Sequence, residues 1–275
     1  MNTGLVLSGG GVRGVAHIGA IKALEEHDIY PTHISGTSAG AIVGALYAGG
    51  CTWEEILDFF KTVELFSMKK YARKKPGFLD TAKFYDLLVS YLPNDNFNDL
   101  KKPLYITATN LLDGTLKVFH RGQLIKPLLA SAAVPGVFAP VRIKDGYYVD
   151  GGTLNIFPVD LIKMYCDRIV GIYVNPFEKV RIKDLKHAHN VMERAYHIKI
   201  ANESRAKFDD CDLLIRPKNM KNFGMFSMKN INAIFQLGYE SAKDALQNDM
   251  HFNGSVAAAE LEAMNGFAMD YKRVD

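Results

Sequence analysis

The sequence predicts an α/β protein with a mainly parallel central sheet and helices on both faces. Short apolar runs bounded by glycine, proline or polar turns alternate along the chain with longer segments of helical character, the pattern of strands joined by helical crossovers. Runs such as Thr3–Ser8 (TGLVLS) and Arg168–Val174 (RIVGIYV) read as buried strands. A chain of 275 residues can bury a substantial core. Residues 1–252 read as one α/β domain. Residues 253–275 read as a C-terminal tail, a helix lying on the body or a segment foreign to the native chain, because the composition shifts there to Gly-Ser-Val-Ala-Ala-Ala-Glu-Leu-Glu-Ala.

Taken in order, the first strand stops at three consecutive glycines, so it gives way to a loop of unusual backbone freedom, Gly9 to Gly14, and then to a helix over Val15–His27. Pro31–Gly49 (PTHISGTSAGAIVGALYAG) reads as a strand ending at Gly36, a turn Gly36-Thr37-Ser38-Ala39-Gly40, and a helix of small and apolar residues to Tyr47. The next helix spans Thr52–Glu64, with Thr52 as N-cap and Trp53, Ile56, Leu57, Phe60 and Val63 on its apolar side. Another covers Thr81–Tyr91. Leu104–Asn110 and Leu116–His120 form a hairpin around Asp113-Gly114, and Val141–Ile143 and Tyr147–Val149 a second one around Asp145-Gly146. A helix over Gln123–Ser131 lies between them. A short helix Pro158–Tyr165, the strand Arg168–Val174, a long helix His187–Phe208, a strand Cys211–Ile215 and an amphipathic helix Asn230–Gln247 complete the series.

Composition narrows the function classes. A net charge of +3 gives no reason to expect nucleic acid as a partner. The three cysteines, Cys51, Cys166 and Cys211, are odd in number and widely spaced, which suits reduced thiols in a cytoplasmic protein. Neither they nor the acids and histidines show ligand spacing, so no metal or cofactor is expected. There is no basic segment followed by an apolar signal core, and no run of about 18 apolar residues. The expectation is a soluble, cytoplasmic protein.

Three glycine-rich turns carry the chemistry. Gly36-Thr37-Ser38-Ala39-Gly40 is a Gly-x-Ser-x-Gly turn between a strand and a helix, the context of a nucleophile elbow. Its glycines bracket a serine whose hydroxyl projects at a helix N-terminus, where free N–H groups favour negative charge on oxygen. The plain alternative is a buried turn whose serine caps the helix. The loop Gly9-Gly10-Gly11-Val12-Arg13-Gly14 satisfies the dinucleotide fingerprint Gly-x-Gly-x-x-Gly, but the next strand ends in Ser-Gly-Thr without the acid that a ribose requires. Its other use is an oxyanion hole, with bare N–H groups turned toward a substrate carbonyl. The third turn, Asp150-Gly151-Gly152, closes the second hairpin.

Together GGGVRG at 9–14, GTSAG at 36–40 and DGG at 150–152 resemble the patatin-like phospholipases. The resemblance extends to AHIGAIKALEE at 16–26, LLASAAVPGVFAPV at 128–141 and GYYVDGG at 146–152. It implies a serine acyl hydrolase of lipid esters, of phospholipase A or lysophospholipase type, with a dyad in place of a triad. Ser38 matches the nucleophile and Asp150 its partner carboxylate, while Gly10, Gly11 and Val12 match the oxyanion hole. Arg13 matches the basic position of the loop, there either to favour anionic intermediates or to anchor the loop. Asn155-Ile-Phe-Pro158 departs from the family pattern in its Ile and Phe. His17 reads as a packing residue; His33, just ahead of the elbow strand, is the one histidine considered for a triad, which the family pattern does not need.

Two further readings remain: transfer of the acyl group from Ser38 to an alcohol or thiol acceptor, and a catalytically silent lipid-binding protein. The expected partner is a lipid or acyl-ester substrate. A peripheral membrane contact is expected through Lys69–Lys75, which holds five basic residues in seven. Phe223, Met225, Phe226 and Met228 are expected to line or cover an acyl channel. The plain readings of these two stretches are a solvated basic loop and a flexible core edge.

Overall fold

The computed structural model describes residues 1–63, 81–175, 177, 180–224 and 230–248. The basic segment Lys69–Lys75, the residues Met225, Phe226 and Met228, and the tail 253–275 lie outside the described residues. Within them an eight-stranded sheet is built around β1 (Thr3–Leu7). β1 pairs in parallel with β2 (His33–Thr37) on one side and β7 (Arg168–Ile172) on the other. β3 (Leu104–Asn110) extends this parallel array beyond β2, and β8 (Leu213–Ile215) extends it beyond β7. The remaining pairings are antiparallel: β4 (Leu116–Phe119) folds back on β3, and β6 (Gly146–Asp150) joins β3 to β5 (Val141–Ile143). The sheet is therefore mixed but mostly parallel, in agreement with the sequence reading.

Alternation along β1 separates the two faces. Leu5 and Leu7 enter the larger core with α1 (Val15–Glu25), α2 (Ala39–Gly49), α3 (Trp53–Thr62), α4 (Thr81–Tyr91), α5 (Ile125–Ser131) and α7 (Ile231–Asn248), while Val6 enters a smaller cluster with Phe157, Val159, Ile162, Ile169 and Tyr173. α1 and α7 cross in backbone contact: a Cβ on Gly19 would collide with the Phe235 carbonyl, and one on Gly238 with that of Ala16. α3 starts as expected, with Thr52 and Glu55 in a reciprocal capping box.

The second face departs from expectation in one element. Pro158–Tyr165 is two 3-10 turns, Val159–Leu161 and Lys163–Tyr165, and not an α-helix. The apolar anchors explain this: Val159 and Ile162 are both buried against the sheet at a spacing of three, which a 3-10 turn aligns. The long helix α6 (Ala188–Arg205) is shorter than its sequence pattern, because a separate 3-10 turn, Phe208–Asp210, leads into β8. No described helix is long and apolar enough to cross a membrane.

Candidate active site

The site forms where the parallel strands end. β2 runs out at Thr37, and Ser38 stands between it and α2 with φ 56° and ψ −125°, a conformation that side chains beyond glycine rarely adopt. Such backbone costs on the order of 1–3 kcal/mol and survives only where its surroundings enforce it. Here they do. A Cβ on Gly36 would lie 2.6 Å from the Gly40 carbonyl oxygen, and one on Gly40 would collide with the carbonyls of Leu7 and Ser8. The Ser38 N–H donates to the Ser131 hydroxyl at 2.8 Å, a fully buried side chain at the end of α5. Thr37 donates its hydroxyl to the Asn155 carbonyl at 2.9 Å and shares a 2.7 Å hydrogen bond with Thr107.

The glycine loop rises from β1 beside this elbow. Gly9 lies so close that a Cβ there would be 3.3 Å from that of Ser38. Its own N–H is taken by the Ile156 carbonyl at 3.0 Å, and Asn175 donates to the Gly9 carbonyl at 2.7 Å. Gly11 has φ 59° and opens a 3-10 turn to Gly14. Among the described residues, the N–H groups of Gly10, Gly11 and Val12 have no backbone acceptor, as expected at the leading end of such a turn. The Val12 side chain packs into the core, and Gly14 fits against the Ala39 methyl. Arg13 is buried and its Nε donates to the Phe223 carbonyl at 2.9 Å, so of its two expected uses the visible contact is an anchor.

Asp150 ends β6 and reaches the same point from the antiparallel side. Its carboxylate accepts the Gly152 N–H at 2.7 Å and lies beside the Ser38 hydroxyl, with which it lines the same cavity. Its own N–H donates to the Ala133 carbonyl at 2.9 Å. Burial pushes the carboxyl up to about 6, against the opposing pull of the Ser38 hydroxyl and the Gly152 N–H. Gly151 is pressed against Thr107, leaving no space for a side chain.

Ser38, Asp150, Gly9, Gly10, Gly11 and Gly152 thus border a single cavity of about 510 Å³, well within the size of ligand sites, about 300–1,000 Å³. α6 roofs it with Met192, Tyr196 and Ile200, spaced four apart on one helix face. Burial and the nearby Asp150 carboxylate push the Tyr196 phenol up to about 12, so it stays a neutral proton donor. The histidines considered from sequence stand apart. His17 is fully buried, its Nε2 donates to the Ser8 carbonyl at 2.8 Å, and burial lowers it to about 4. His33 opens β2 while Ser38 follows its end, roughly 16 Å along a strand; it stacks on Tyr165 instead. Sequence reasoning missed Ser131, Asn175, Thr37, Thr107 and Tyr196. Only Ser131, a hydroxyl in an apolar helix end, carried a visible signal.

A strained serine between a parallel strand and a helix, with a carboxylate and a glycine loop around it, defines an α/β protein of the nucleophile-elbow class. The family profile described as patatin-like phospholipase matches residues 5–162, and the chain belongs to that family. It is 28% identical over 289 residues to Lysophospholipase nte1 of Emericella nidulans, covering 89% of this chain and 18% of that protein. It is 32% identical over 184 residues to an uncharacterized NTE family protein of Mycobacterium bovis, covering 66% of this chain and 51% of that one. This chain therefore corresponds to only part of the relatives' length. Among solved structures, VipD from Legionella pneumophila superposes with a TM-score of 0.52 at 16% identity over 90% of this chain and 67% of that one. The type III effector protein ExoU superposes with a TM-score of 0.50 at 18% identity over 90% and 53%. At such identities the likeness is one of fold.

Proposed function

We propose that this protein is a serine acyl hydrolase of lipid esters, of lysophospholipase or phospholipase A type, working through a Ser38–Asp150 dyad. The observation that carries the reading is a buried, proton-avid carboxylate beside the Ser38 hydroxyl, in a cavity that Gly10 and Gly11 also border. In the reaction, Ser38 Oγ attacks the acyl carbonyl and its proton passes to Asp150. The N–H groups of Gly10, Gly11 and Val12 hold the oxyanion. Collapse breaks the ester bond, and the leaving alcohol takes the proton back from Asp150. Water then attacks the acyl-Ser38 ester, giving its proton to Asp150, and the fatty acid departs as Ser38 is reprotonated. A carboxylate near its usual range is a weak base; one held at about 6 is better matched to proton transfer near neutrality. The mostly apolar walls suit an acyl chain, and the lysophospholipase name of the fungal relatives supports the substrate class.

The test is labelling with a fluorophosphonate, together with hydrolysis of p-nitrophenyl butyrate and a lysophospholipid, on wild type and Ser38→Ala. The expectation is a single labelled serine and an activity that both vanish in the variant. Labelling or hydrolysis that survives Ser38→Ala overturns the reading.

A further inference from the structure

A smaller cavity of about 240 Å³ adjoins the one holding Ser38, and Tyr173, Asn175, Phe177 and Ala201 line both. Beyond this shared wall the chemistry changes, because the smaller cavity is bordered by Arg205, Arg216 and Lys218. The helix α6 makes the transition. Its cavity-facing positions run Met192, Tyr196, Ile200 and Ala201, and Arg205 falls one turn further on the same face, about 6 Å along the axis from Ala201. Arg216 follows β8 directly, so it stands at the same carboxyl-terminal edge of the parallel sheet as Ser38, where ligands of open α/β sheets bind.

Among the described residues, Arg205, Arg216 and Lys218 form no ion pair. Ion pairs are instead made by Lys22, Lys163, Arg181, Lys199 and Lys207, among others. Of the described acids nearby, Asp210 pairs with Lys163 and Asp212 accepts the Ile169 N–H at 2.6 Å. Instead, the Arg205 guanidinium lies over the Phe177 ring at 5.0 Å, and that of Arg216 over Phe208 at 5.4 Å. Stacking occupies the flat face of a guanidinium and leaves the N–H groups of its edge available. A further donor lies in the shared wall. Tyr173 is 7% exposed and its hydroxyl has no hydrogen-bond partner among the described residues, while its polar neighbour Ser204 donates to the Ile200 carbonyl at 2.8 Å.

We propose that this annex seats the phosphate of the substrate's headgroup, so that the protein selects acyl esters carrying a phosphate over neutral glycerides of the same chain. The proposal rests on the reading of Ser38 as an acyl-ester nucleophile and adds the residues that choose the substrate. Two guanidinium edges and an ammonium suit the several oxygens of a phosphate better than a single carboxylate. In a glycerophospholipid the ester and the phosphate are separated by the glycerol backbone alone, which matches two cavities that share a wall.

The experiment compares kcat/KM for a lysophosphatidic acid and for the monoacylglycerol of the same chain, both below their aggregation limits, in wild type and in Arg205→Gln/Arg216→Gln. The expected wild-type preference for the phosphate ester is about tenfold or more, collapsing by at least about tenfold in the variant, mainly through KM. A wild-type ratio near one, or a ratio that the variant leaves unmoved, overturns the proposal. Binding of glycerol 3-phosphate and of inorganic phosphate to Ser38→Ala, followed by calorimetry, separates the two ideas. If p-nitrophenyl butyrate hydrolysis proves independent of Ser38, the nucleophile reading fails, while loss of glycerol 3-phosphate binding on adding Arg205→Gln/Arg216→Gln still upholds the annex. Binding of inorganic phosphate without selectivity between the two lipids marks a free-phosphate site and overturns the headgroup assignment.

Discussion

The floor of the Ser38 cavity comes from strand ends: Ser38 and Asp150 are each 6% exposed, Thr37 and Thr107 are fully buried, and every one of them is hydrogen-bonded. The roof is one helix, α6, with Met192 73% and Tyr196 38% exposed. The floor is over-determined, since Ser38's backbone is held by the close approach of Gly40 to β1 and by Ser131, and Asp150's by Ala133 and Gly152. The roof buries Ile200, Ala201 and Ser204 at its C-terminal half, while its surface contacts include Lys199 Nζ to the Thr153 carbonyl at 3.2 Å. Under the proposed function, the sheet sets the reaction and the helix sets what enters. Substitutions should therefore cost turnover in the floor and alter substrate preference in the roof.

The largest effect is expected at Asp150. Asp150→Asn keeps an acceptor for the Gly152 N–H but removes the base, so kcat should fall by about 10²–10⁴ with the fold retained. Full activity in this variant would assign Asp150 to structure alone. Stability should move the opposite way. Because the carboxyl is raised from 3.8 to about 6, the folded protein holds a proton that the unfolded chain has released, and this cost grows as pH rises through that window and persists above it. Asp150→Asn should therefore be more stable than wild type at pH 8, by on the order of 2–3 kcal/mol, with the gap closing below about pH 4. Denaturant titrations at both pH values check this. His17 acts in the opposite sense: lowered from 6.5 to about 4, it leaves the folded protein short of a proton that the unfolded chain binds, so stability is lost as pH falls through that range.

Next in size is the pH profile of turnover. If Asp150 is the base, kcat/KM should carry an acid limb of unit slope near pH 6. A profile flat down to pH 4.5 would detach the raised carboxyl from catalysis. At Ser131, replacement by alanine leaves the Ser38 N–H buried without an acceptor, at about 1–3 kcal/mol, and should lower stability and turnover together. A variant impaired in neither would remove Ser131 from the support of the elbow. The smallest effect belongs to the roof. Met192→Ala should change stability by less than about 0.5 kcal/mol, yet shift the preferred acyl-chain length in a substrate series. A loss of stability as large as that of Ser131→Ala would erase the distinction between the two walls.

Much of this molecule is local and hence legible in its residues. The elbow Gly36–Gly40, the loop Gly9–Gly14, the hairpin around Asp113-Gly114 and the Thr52 cap each depend on backbone conformations or hydrogen bonds among near neighbours, whereas the second hairpin turns at Lys144-Asp145, with φ 52° on Lys144, and Gly146 lies in β6. A glycine or a capping hydroxyl declares such a need wherever it stands. The order of the strands was not legible, because β1 takes partners from residues 33–36 and 168–172, and pairing between distant segments depends on global packing. The same holds for the supports of the site. Ser131 is 93 positions from Ser38 and Asn175 is 166 from Gly9, and nothing in the spacing of either pair foretells a hydrogen bond. Whether Pro158–Tyr165 winds as an α-helix or as 3-10 turns was settled by the sheet against which Val159 and Ile162 are buried. Tyr196 belongs to the cavity only because α6 crosses the ends of strands far from it in the chain. The residues alone determined the kind of turn that presents Ser38; the tertiary structure decided what surrounds it, because burial and long-range contact exist only once the sheet has formed.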